Sequence, residues 1–106
     1  MLTLGIDIGS ASSKAVILEN GTRIVRALAV QAGTGTSGPG RVMNELFQGA
    51  DFTIKDMNRI VATGYGRFSV KEADKQISEI TCHARGIFFL HPAARTIIDI
   101  GGQDAK

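Results

Sequence analysis

Near its start the chain reads Ile6-Asp7-Ile8-Gly9, and near its end Ile98-Asp99-Ile100-Gly101. An offset of 92 positions, 99 less 7, superposes the two tetrapeptides and also places Lys14 on Lys106. Short text repeated with its downstream lysine points to one supersecondary unit used twice. Each copy is an apolar strand that ends in an acid and then meets glycine. That constrains the fold to strands whose ends turn sharply, with the two turns able to face one another.

The chemistry follows from what such a turn can hold. Glycine and the small residues Ser10, Ala11, Ser12 and Ser13 leave backbone N–H groups unobstructed, so phosphate oxygens can approach them. Asp7 would then stand beside those oxygens, where a carboxylate is unfavourable unless a cation intervenes. Mg²⁺, which binds carboxylate, phosphate and water oxygens, is the natural intermediary. Two such hairpins would clasp a polyphosphate from both sides. One copy alone reads equally well as a plain β-turn; the repeat favours the nucleotide.

Composition narrows the remaining classes. With 106 residues there is room for one modest domain with a real core. Twelve basic against ten acidic side chains leave a net charge of +2, so no electrostatic case for nucleic acid or an anionic membrane arises. The start, MLTLGIDIG, has no basic region and soon meets Asp7, and the apolar run GIFFL is too short to span a bilayer. A soluble, cytoplasmic protein is expected. Cys82 is the one cysteine, which excludes an internal disulfide and a metal site built from four thiolates. His83 and His91 lack partners at ligand spacing and read as structural.

Strands come first along the chain. LTLGIDI, KAVILEN and RIVRALAVQA are β-rich runs, the last two joined at Asn20-Gly21, a hairpin signal. GTGTSGPG, residues 33–40, is glycine-rich but lacks the Lys and Ser/Thr of a P-loop, so it reads as a loop. Ser37 as cap and Pro39 then lead into a helix over Arg41 to Gln48, with Val42, Leu46 and Phe47 on one face. Ile60 to Thr63 reads as a buried strand that ends in the glycine turn of ATGYGR. From Ala73 to Leu90 the apolar spacing fits one long helix. A short strand at Gln76 to Ser78 with a helix from Glu79 fits nearly as well. After Pro92, ARTIIDI restarts a strand. The division expected is a first lobe over residues 1–92 and the opening of a second over 93–106.

GIDIGSASSK and IDIGGQD resemble the two phosphate motifs of the superfamily that includes actin, sugar kinases and heat-shock chaperone ATPases. Together with GTGTSGPGR, ATGYGR, ADKQISEITCHARG and IDIGGQDAK, they resemble the activator, or component A, of 2-hydroxyacyl-CoA dehydratases, related to the ATPase subunits of benzoyl-CoA reductase. The resemblance runs over essentially the whole chain. It implies an α/β ribonuclease-H-like lobe with a mixed sheet flanked by helices, truncated as written. It also implies ATP or ADP with Mg²⁺ as ligands and hydrolysis coupled to one-electron transfer. A four-iron four-sulfur cluster would be held between two identical subunits, with an acyl-CoA dehydratase or reductase as electron acceptor.

Carried over residue by residue, Gly9, Ser10, Ala11, Ser12, Ser13 and Lys14 would wrap the phosphates. Asp7 and Asp99 would hold Mg²⁺ through its waters, Gly101, Gly102 and Gln103 would form the opposing loop, and Asp104 would join the metal or the hydrolytic water. Bland alternatives stand beside these: Ser12 and Ser13 as turn hydroxyls, Lys14 as a solvated strand end, Gln103 as an exposed amide. The family's cluster cysteines and adenosine-binding residues lie downstream of the second motif, beyond Lys106, so Cys82 is not taken as a cluster ligand. A sugar or metabolite kinase, and a non-catalytic half-domain, are the rival readings.

Overall fold

The computed structural model describes residues 1–32 and 37–90. The second copy of the repeat, with Asp99, Gly101, Gly102, Gln103 and Asp104, therefore lies outside the described residues, as do the expected strand after Pro92 and the second lobe.

The first three strands are the expected ones: β1 (Leu2–Ile8), β2 (Ser13–Glu19) and β3 (Arg23–Val30). They form an antiparallel meander. The β2–β3 connection shows why Asn-Gly was informative: Asn20 and Gly21 both have positive φ, 55° and 75°, and the Thr22 N–H donates to the Glu19 carbonyl at 3.2 Å. That is a type I′ turn, whose twist matches the strands it joins.

Helix α1 (Gly38–Phe47) begins three residues before its expected start. Ser37 does stand at the N-cap, but its hydroxyl makes no capping bond. Pro39, in the first turn, presets the backbone there and lacks a donor to satisfy, which extends the helix toward the loop. At the other end the Arg26 guanidinium donates to the carbonyls of Leu46 (3.0 Å) and Gln48 (2.8 Å), covering acceptors that the helix leaves open.

Strand β4 (Arg59–Thr63) lies parallel to β1, and a two-residue strand β5 (Lys75–Gln76) lies parallel to β4, giving the order β3-β2-β1-β4-β5. The second reading of residues 73–90 is thus the one adopted, with α2 spanning Glu79–Leu90. The long helix loses to the sheet for a local reason. The Asp74 carboxylate accepts from the Ile60 N–H (2.7 Å), the Asp74 N–H donates to the Ile60 carbonyl (2.7 Å), and the Ile77 N–H donates to the Ala62 carbonyl (2.9 Å). These bonds hold the backbone extended up to Ile77. No helix among the described residues is long and apolar enough to cross a membrane.

One face of the sheet is the core. Leu4, Ile6 and Ile8 of β1, Ala15 and Ile17 of β2, and Ile60 and Ala62 of β4 are buried with Val42 and Leu46 of α1. Each of the Leu, Ile and Val side chains contributes roughly 1.5–3 kcal/mol on leaving water. Strand alternation sends the intervening residues, Gly5, Asp7, Lys14, Val16, Val61 and Thr63, to the opposite face. The acid at the end of β1 is therefore displayed away from the core.

Candidate functional site

The β1–β2 hairpin turns between Ile8 and Ser13, which are partners in the ladder, as are Asp7 and Lys14. Its tip is closed by the Gly9 N–H donating to the Ser12 carbonyl at 2.8 Å. Between them, the amides of Ser10 and Ala11 make no hydrogen bond among the described residues. Two donors thus stand open at the end of an apolar strand.

Lys14 lies across the ladder from Asp7. Its Nζ is 3.6 Å from Asp7 Oδ2 and donates to Ser12 Oγ at 2.8 Å. The two charged side chains are 46% and 27% exposed, so the pair contributes at most about 1 kcal/mol. A pair that weak is readily re-partitioned when an anion or cation arrives. Lys14 is therefore neither buried nor idle.

Ser12 and Ser13 part company. Ser12 Oγ accepts from Lys14 on the outer face. Ser13 is fully buried on the core face beside Ile8, and its hydroxyl donates to the Ala32 carbonyl at 2.7 Å. Its side chain ties the hairpin to the segment leading into α1. Ser13→Ala should leave that carbonyl without its donor and cost about 1–2 kcal/mol in urea unfolding, with nucleotide affinity unchanged. A loss of affinity with unchanged stability would show the opposite role.

Four further residues complete the surroundings, none of them marked for the site by its local sequence. Thr63 pairs in register with Asp7 across the parallel β1–β4 ladder and is only 9% exposed. Gly64 follows it at φ +91°, and a methyl group there would overlap Asp7 Oδ1 and the Ile8 carbonyl. The Gly66 N–H then donates to that Ile8 carbonyl at 2.8 Å. The glycine turn of ATGYGR thus abuts the carboxylate and limits where it can point. Cys82, half-buried on α2, lines the same open cavity of about 300 Å³ as Asp7, Lys14 and Thr63. The pair of glycines after a buried strand was a signal, read only as a turn.

The residues present fit a hydrated Mg²⁺ with a polyphosphate. Asp7 offers a half-exposed carboxylate, Ser10 and Ala11 offer amides, Lys14 offers a mobile positive charge, and Thr63 Oγ1 is a buried polar atom without a partner among the described residues. Mg²⁺ needs only one or two protein carboxylates when phosphates and waters complete its shell. An iron–sulfur cluster does not fit. The sequence holds one cysteine, and among the described residues no three of His, Cys, Asp and Glu gather as metal ligands.

Comparison with known proteins gives the same direction. The activator of lactoyl-CoA dehydratase from Anaerotignum propionicum is 64% identical over 106 residues, all of this chain and 41% of that protein. The solved activator of the 2-hydroxyisocaproyl-CoA dehydratase from Clostridium difficile, with bound ADPNP, superposes with a TM-score of 0.93 at 54% identity, over 99% of this chain and 39% of that one. Component A of the Acidaminococcus fermentans (R)-2-hydroxyglutaryl-CoA dehydratase gives 0.90 at 51% identity, over 99% and 41%. The chain thus spans about two fifths of the length of the relatives it matches. With a family profile matching residues 4–106, the chain belongs to the BadF/BadG/BcrA/BcrD ATPase family.

Proposed function

We propose that the chain is the ATP-binding lobe of an ATPase that drives low-potential electron transfer to a 2-hydroxyacyl-CoA dehydratase or an aryl-CoA reductase. The observation that carries this is the β1–β2 hairpin: open amides at Ser10 and Ala11, with Asp7 and Lys14 on one face beneath them. The ADPNP bound to the Clostridium difficile activator supports nucleotide as the ligand. Homologues that activate dehydratases support the partner.

In this reading Ser10 and Ala11 bind phosphate oxygens, and Gly9 keeps the backbone close to them. Lys14 would exchange Asp7 for the phosphates, and Asp7 would hold Mg²⁺ through its waters. The cation supplies charge neutralisation to the polyphosphate when bound. The repeat assigns Asp99, Asp104, Gly101, Gly102 and Gln103, which lie outside the described residues, to the facing half of the clasp, where Asp99 would help hold the same cation. Ser13 supports the hairpin through its hydroxyl and offers the ligand only its backbone. A four-iron four-sulfur cluster at the junction of two identical subunits of a cytoplasmic protein would need thiolates other than the single Cys82 of this chain.

The test uses the full-length polypeptide, purified anaerobically with a 2-hydroxyacyl-CoA dehydratase as acceptor. Dehydratase activation should require ATP and fail with ADPNP, because hydrolysis and not binding alone drives the electron. Equal activation by both, or phosphorylation of a sugar at the expense of ATP, would refute the reading.

A further inference from the structure

Thr63 stands out among the buried polar side chains. A hydroxyl removed from water normally finds a partner, because leaving it unpaired is costly. Ser13, buried on the core face, follows that rule through Ala32. Thr63 Oγ1 is buried and has no partner among the described residues. A valine would fill the same space without that cost, so the hydroxyl needs a reason.

Its position suggests one. Thr63 is in register with Asp7 on the outer face and lines the same cavity as Asp7 and Lys14. Gly64 presses against the Asp7 carboxylate from the Thr63 side, with no room for even a methyl group. The acid and the orphan hydroxyl therefore stand on paired positions of adjacent strands and line one cavity.

We propose that the Thr63 hydroxyl is a further contact of the Asp7 site, bonding a water of the divalent cation that Asp7 holds and so raising the affinity for that cation. This rests on the nucleotide reading above. Partners one shell out from a metal commonly change its affinity by about 10–100-fold.

Mn²⁺ reports the cation directly by electron paramagnetic resonance, without reference to turnover. In the full-length polypeptide, Thr63→Val should raise the Kd of Mn²⁺ in the presence of ADP about tenfold. Thr63→Ser, which keeps the hydroxyl, should stay within about threefold of the parent. ADP affinity in EDTA should be the same for all three. Should the valine variant fail to fold, Thr63→Ala removes the same hydroxyl and carries the same expectation. Mn²⁺ affinity unchanged in the valine or alanine variant would overturn the proposal and leave the nucleotide reading standing. A loss equal with and without metal would overturn it as well, by making Thr63 structural. A parent that binds no Mn²⁺ with ADP would remove the nucleotide reading itself, and this inference with it.

Discussion

Asp7→Asn in the full-length polypeptide is expected to slow ATP hydrolysis by about a hundredfold or more while changing nucleotide affinity by only a few fold. The substitution keeps the shape of the side chain, so the contact with Gly64 and the open amides of Ser10 and Ala11 persist. What is lost is the charge that would orient the hydrated cation in the proposed function, which matters most as charge develops during phosphoryl transfer. Binding has a compensation built in. Lys14, 3.6 Å from the carboxylate in the free protein, loses its counter-charge and becomes more available to the phosphates. Paired measurements of ATP turnover and of ADP affinity decide the matter. Turnover within a few fold of the parent would make Asp7 a structural acid. Asp99→Asn should behave alike if the repeat places that carboxylate on the same cation.

Gly64→Ala carries the largest expected effect on stability. Two costs add there: a left-handed φ of +91°, and a methyl group overlapping the Ile8 carbonyl and the Asp7 carboxylate. Neither obstacle is the far end of a long side chain, so relief requires β1 and β4 to separate. Together these amount to about 2–5 kcal/mol. Gly21 supplies the comparison. Its φ is +75°, but open space surrounds the position a Cβ would take, so Gly21→Ala should cost only about 1 kcal/mol. Urea unfolding of the two variants separates conformational strain from collision. The alanine at 64 should also weaken Mn²⁺·ADP binding at temperatures where the protein is still folded. Equal stability of the two variants would show that the glycine turn does not press on the site.

Much of this arrangement was legible in the order of residues. β-Rich runs marked β1 and β2, the Asn20-Gly21 pair marked their continuation into β3, and the acid closing an apolar strand marked Asp7. All of these are local signals. What stayed hidden depends on register between distant segments. Nothing around Thr63 tells which strand it will pair with, and only the Asp7–Thr63 pairing gives it a place in the site. The extended course of residues 74–77 was legible only as one of two readings, because it is set by bonds to Ile60 and Ala62 that compete with an acceptable helical pattern. Ser13 shows the reverse difficulty. It sits inside a run of small hydroxyl residues that invites one shared role, yet strand alternation turns it to the core and Lys14 to the outer face.

The parallel pairing of β1 with β4 also bears on how the protein is made. The first motif is contained in residues 6–14, and the meander that carries it closes through short-range contacts. The wall beside Asp7 comes from Thr63, Gly64 and Gly66, more than fifty residues later. Contacts of such long sequence separation form late, because the intervening loop must be closed before they repay it. A nascent chain that has emerged only as far as β3 possesses every residue of the motif and none of the wall. The carboxylate of Asp7 is therefore confined only when β4 docks, so that the newborn protein completes the walls of this cavity after the whole motif has been made.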